Sequence, residues 1–302
     1  MIPHIVRLTA QISSTLPSPF SADDQDQIIS VSTVFQPHAK LLSAPPDVVV
    51  VSSDQVFFYV HYDLLQERSA NNFGARLSTA VPTGALRAVV PVREASPVVN
   101  VILHTLYGLP CGHFRPTDDV LDGALAGLEA YGVRADALAA PGTPLFALLA
   151  ARARAAPLFV YTLAAQHGLR ALAAYASAFL LATRPDEIPA AAAARMGPVY
   201  LHRLLALQLR RVEALKGILL APPRTHPATA GCDEAAQAAV ARAWTLTAGY
   251  FVWERRPEMT TTSMEVAFEK LGAEIRCEAC KASFNERVAQ VLQSWAQLQR
   301  TI

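Results

Sequence analysis

Apolar positions along this chain follow two periods, and the change from one to the other divides it. An unbroken β-branched run from Val48 to Val51 is followed by turn chemistry at Ser52 to Asp54. A segment rich in aromatic and branched residues, Val56 to Val60, comes next, and together these predict a hairpin. Leu64, Leu65, Phe73 and Leu77 suit one helix or two short ones over 62–77, and Pro82 and Gly84 end that pattern. A second strand is predicted over 87–92. Ser96 reads as a helix N-cap with Pro97 at the first helical position, and the helix runs to about Tyr107 before Gly108 and Pro110. Thr117 reads as the cap of a further helix, with Asp118 and Asp119 in its first turn and Gly132 at its end.

Beyond Pro141, Gly142 and Pro144 almost every segment carries helical periodicity. Helices are predicted over 145–154, 157–167, 170–183, 198–220, 234–253, 263–275 and 283–298. In the longest, Leu201, Leu204, Leu205, Val212, Leu215 and Leu219 form an apolar stripe, and Arg203, Arg210, Arg211 and Lys216 fall on the remainder. The last helix gathers Phe284, Val288, Val291, Leu292, Trp295 and Leu298 on one face. The expected fold class is therefore α+β: a domain of strands and helices over 45–140, then an all-α domain over 141–302. Residues 1–44, with Asp23, Asp24 and Asp26, show no sustained period and are expected to form a loosely ordered lead-in.

Composition narrows the function classes. With 302 residues, 52% hydrophobic and 17% charged, the chain has ample apolar surface to fold. Twenty-six basic against 25 acidic residues leave a charge of +1 with the cations scattered, which argues against nucleic acid and anionic membrane as partners. Four cysteines and the lack of an Asn-x-Ser/Thr site point to an intracellular protein, cytoplasmic or nuclear. Pro3, His4, Arg7 and Gln11 interrupt the stretch a signal peptide would need, so no secretory signal is expected. The longest charge-free apolar run, Ala171 to Thr183, falls well short of the roughly 20 residues needed to span a bilayer.

The segment DVVVVSSDQVFFYVHYDLLQERSANNFGARL, residues 47–77, resembles the opening of a BTB (POZ) domain, through Asp47, His61, Leu64, Leu65, Ser69 and Phe73. The likeness continues through the strand at 88–92, the LHTLYG ending at Gly108 and LDGALAGLEAYGV, covering roughly residues 45–140. Tyr161, Ala164, His167 and Gly168 match a pattern that follows the BTB domain in a large group of fungal proteins. The resemblance implies a small sheet covered by helices and a non-catalytic protein-protein interaction module, an adaptor or regulatory scaffold that often forms a homodimer, with Asp47, His61 and Tyr62 at the interface. In the family a Lys or Arg commonly follows the His and pairs with the early Asp. Here Tyr62 stands there, so Asp47 is expected to lack its cation. Residues 72–92 hold no Asp or Glu, which weighs against a cullin-type ubiquitin-ligase adaptor while leaving that role open.

Two clusters carry candidate chemistry. Cys111 and His113, close to Asp118 and Asp119, suggest a thiol enzyme as the rival function. Such triads normally come from distant segments, however, and the two acids are explained by helix capping. The chain has no GxSxG, HExxH, GxGxxG or P-loop motif. Cys277 and Cys280 form a Cys-x-x-Cys that Cys232 and His226 can complete as a zinc site near helix ends. Against it stand a His-x5-Cys spacing without an obvious tight turn and helices whose apolar stripes can bury themselves, so packed thiols with no metal and no cofactor are expected.

Overall fold

The structure is a computed structural model, and it describes residues 5–8, 29–77, 86–254 and 256–302. The chain divides into two compact units, Met1–Ala151 with His167–Leu169, and Arg152–Gln166 with Arg170–Ile302.

The first unit is built on a five-stranded sheet of β1 (Ile5–Leu8), β2 (Ile29–Ser32), β3 (Val48–Val51), β4 (Val56–Val60) and β5 (Ala88–Pro91), in the order β1-β2-β4-β3-β5. The predicted hairpin is β3 and β4, antiparallel with Val48 opposite Val60. Ser52 closes its turn by accepting the Val56 N–H through its hydroxyl. β5 lies parallel to β3, with Val48 beside Ala88. The Val48–Val51 run is unbroken because this inner strand is covered on both faces: Val48, Val49 and Val50 are all buried.

Strands β1 and β2 depart from the loosely ordered lead-in expected over 1–44. They pair antiparallel, and β2 continues parallel to β4. Four-residue strands hold too few positions for a period to register, yet Phe35 just beyond β2 is fully buried. Its ring meets Phe58 and the rings of His104 and Tyr107. Asp23, Asp24 and Asp26 lie outside the described residues.

Helices α1 (Tyr62–Arg68) and α2 (Asn72–Ala75) follow β4, and α3 (Ser96–Leu106), α4 (Asp118–Ala130) and α5 (Ala135–Leu138) follow β5. The turn α2 is left-handed, with positive φ at Asn72, Phe73, Gly74 and Ala75, a conformation that costs about 1–2 kcal/mol per non-glycine residue. Specific contacts hold it. Phe73 stacks on Tyr131 at 4.1 Å, the Ser69 hydroxyl accepts the Phe73 N–H, and the Asn71 side-chain Oδ1 accepts the Gly74 N–H. Ser96 is the first residue of α3 and not its cap, because its N–H and hydroxyl both donate to Asp54. Thr117 does occupy the N-cap of α4, without a side-chain capping bond.

Helix α6 (Pro144–Ala153) begins at a predicted boundary proline, and the division between the units falls inside it. The second unit continues with α7 (Pro157–Gln166), α8 (Arg170–Ser177), α9 (Ala190–Leu220), α10 (Glu234–Glu254), α11 (Thr261–Ala273) and α12 (Glu278–Gln297). Helix α9 starts earlier than predicted and is broken at Gly197, whose φ of 70° precedes Pro198. A core gathers Leu215, Leu219, Trp244, Phe251, Phe268, Phe284, Val291 and Trp295, the last three on the predicted face of α12. Arg211, although off the apolar stripe, is buried, with buried Gln208 one turn away.

Candidate functional site

At the start of β3, the Asp47 carboxylate sits at the N-terminus of α1 and accepts the Tyr62 N–H at 2.8 Å. An acid there satisfies a free helical N–H and meets the positive end of the helix. The other carboxylate oxygen is 3.0 Å from Arg87 Nε. Arg87 also reaches Asp63, 3.2 Å away, and its guanidinium carbon lies 5.1 Å from the centre of the Tyr62 ring. The expectation that Asp47 lacks a cation is therefore corrected. Parallel pairing of β5 with β3 carries Arg87 alongside Asp47, and Tyr62 contributes a backbone donor and an aromatic face under the cation. Arg87 and Asp63 are largely exposed, so the cluster is a charged surface feature worth little to stability.

His61 is placed differently from its neighbour Tyr62. It is buried, with Nδ1 2.7 Å from the Tyr107 hydroxyl and Nε2 2.9 Å from the Ala44 carbonyl. Nε2 faces an acceptor and so carries the proton, leaving Nδ1 to accept from the Tyr107 hydroxyl, which itself accepts the His61 N–H at 2.9 Å. This arrangement ties β4 to the end of α3. Of the three predicted interface residues, Asp47 and Tyr62 belong to the charged corner, while His61 is a buried tie beneath it.

Cys111 and His113 stand in different surroundings, the first buried and the second exposed. Cys111 is buried, and burial pushes its thiol up to about 11, so it is a thiol and not a thiolate near neutrality. Among the described residues no hydrogen bond joins it to His113, whose ring lies against Phe114 at 3.9 Å and meets His104.

The four candidate metal ligands do converge, within the second unit. The ligand atoms of His226, Cys232, Cys277 and Cys280 all lie within 4.8 Å of one another. His226 Nε2 is 3.2 Å from Cys280 Sγ and 3.4 Å from Cys277 Sγ, and Cys232 Sγ is 3.7 Å from Cys280 Sγ. Contrary to the sequence expectation, Cys232 does close a tight turn, exchanging both backbone hydrogen bonds with Thr229. Cys277 is the N-cap of α12 and Cys280 lies in its first turn. The backbone N–H groups of that turn, Cys280 first, bring the Cys277 pKa down to about 7, while burial pushes Cys280 up to about 12.

Sequence reasoning misses Arg87 and Tyr107. The signal for Arg87 lies in the register of a parallel strand, and that for Tyr107 in a helix end packed against a distant turn. Neither is a spacing along the chain. A scan against family models, a search of curated proteins and a search of solved structures find no match to this chain.

Proposed function

We propose that this protein is a non-catalytic protein-protein interaction module of BTB type, self-associating as a homodimer and acting as an adaptor or regulatory scaffold in the cytoplasm or nucleus. The observation that carries the reading is the surface pair of Asp47 and Arg87 above Tyr62. The BTB-like segment implies a cation beside its early Asp, and here one arrives from β5. The order hairpin, helix, turn, strand and helix pair supports the same reading, as does the burial of Cys111 against the rival thiol enzyme. Among the described residues no helix is long and apolar enough to cross a membrane.

The test is light scattering together with affinity purification from the native cell, comparing the parent chain with Arg87→Ala and Asp47→Asn. A dimer at roughly tens of micromolar, the range where weak interfaces are still populated, with protein partners lost in the variants at unchanged circular dichroism, supports the reading. A monomer whose captured proteins are indifferent to both substitutions overturns it.

A further inference from the structure

We propose that His226, Cys232, Cys277 and Cys280 bind one structural zinc ion that fastens the segment between α9 and α10 to the first turn of α12. Tetrahedral zinc, with bonds of about 2.3 Å to sulfur and about 2.0 Å to nitrogen, sets its ligand atoms roughly 3.5–3.8 Å apart. The sulfur pair at 3.7 Å and the nitrogen-sulfur pairs at 3.2 and 3.4 Å fall close to that spacing. A disulfide needs sulfurs about 2.05 Å apart, and all four cysteines are free.

The histidine is oriented for the role. Its Nδ1 lies 2.8 Å from the Pro227 carbonyl, an acceptor, so the ring proton resides on Nδ1 and the Nε2 lone pair faces the sulfurs. A ring N–H held by a carbonyl is the usual outer support of a metal-bound imidazole. The ligands come in two local pairs. His226 precedes the turn at 229–232 and Cys232 closes it, held by reciprocal backbone bonds to Thr229. Cys277, the N-cap of α12, and Cys280, in its first turn, are presented together by one helix start.

The surroundings have a use for such a fastening. Residues 221–233 include Pro222, Pro223 and Pro227, and none of them is among the residues of the aromatic core described for this unit. Polar ties already lead the segment to the same helix: the Ser283 hydroxyl donates to the Arg224 carbonyl, and Arg224 reaches Glu286 at 2.7 Å. The His226 N–H donates to the buried Gln237 side chain on α10. Three soft thiolates and one imidazole in a closed tetrahedral set select zinc over the hard oxygen-seeking cations. With no open coordination position, the ion is structural and not catalytic.

The test uses the full chain, free of any histidine tag, expressed with zinc and purified without chelator. Elemental analysis should find one zinc per chain. Replacement by cobalt should give the intense visible absorption of a tetrahedral thiolate complex. Titration with a mercurial should release the zinc as three thiols react, a readout on the parent protein that needs no variant to fold. Cys277→Ser and Cys232→Ser should each lose the metal. A folded chain with zinc far below one per molecule and no cobalt-thiolate spectrum overturns the proposal, as does a stoichiometric metal of another kind.

Discussion

The Arg211 guanidinium carbon sits 4.2 Å from the centre of the Trp295 ring, joining α9 to α12 through a buried cation. Among the described residues no carboxylate forms an ion pair with it. Arg211 donates instead to the carbonyls of Pro257, Leu298 and Gln299, and burial pulls its pKa down to about 10. A planar fork meets three carbonyls and one indole face in a way that an ammonium group does not.

Arg211→Met should therefore destabilise the second unit by about 2–4 kcal/mol, since it removes charged donors and strands the acceptors. Arg211→Lys should recover less than half of that loss. Urea denaturation followed by tryptophan fluorescence measures both, and a change below about 0.5 kcal/mol, the scale of an ordinary surface substitution, would refute the role.

Gly132 follows α4 with φ of 68°, and a Cβ there would fall 2.6 Å from the Asn71 side chain and 2.9 Å from its backbone nitrogen. Asn71 is the residue that holds the left-handed turn through Gly74 and Ala130. Gly132→Ala should cost about 1–3 kcal/mol from backbone strain and that displacement. Faster amide exchange at 69–77 is the expected signature.

Tyr107→Phe removes the hydroxyl that serves both the backbone and the ring of His61. Two buried polar atoms lose their partner, at a cost of about 1–3 kcal/mol. Thermal denaturation by circular dichroism should show the drop, and in a His61→Gln background the cost should shrink by the share of the ring bond while the backbone N–H still loses its acceptor.

His104 is buried on α3, with Nδ1 2.7 Å from the Asn100 carbonyl. Burial, aided by repulsion from His113, lowers its pKa from the ordinary 6.5. As pH falls the unfolded chain takes up this proton first, so the stabilisation is complete above 6.5 and is lost as pH drops through the lower folded value. Amide exchange at 101–106 should accelerate over that window, and His104→Gln should flatten the dependence.

Cys111 should resist alkylation in the native chain near neutral pH and react once the chain unfolds, because its thiol is buried and raised to about 11. Mass mapping after brief exposure to iodoacetamide tests this. Rapid native labelling would revive the thiol-enzyme reading.

Local pattern reached the elements whose stability is local. Val48–Val51 announces a hairpin strand, and Phe284, Val291 and Trp295 announce the inner face of α12. What it missed depends on partners far along the chain. Arg211 looks like any solvent-facing cation until α12 and the carbonyls beyond it are in place, and Phe35 sits in a segment too short to show a period. The left-handed α2 is equally silent, since its strain is carried by Ser69, Asn71 and Tyr131. The cysteines were legible as a spacing, whereas their convergence with His226 depends on how the turn at 229–232 folds back onto α12.

All three tryptophans lie in the second unit, Trp244 and Trp295 within its core and Trp253 largely exposed to solvent. Intrinsic indole emission is thus a natural reporter of one half of the molecule and blind to the other, whose sheet must be followed by far-ultraviolet dichroism. Melting curves recorded by the two signals will coincide only if both halves unfold as a single cooperative body. Any gap between them measures how independently each half stands, with no label attached.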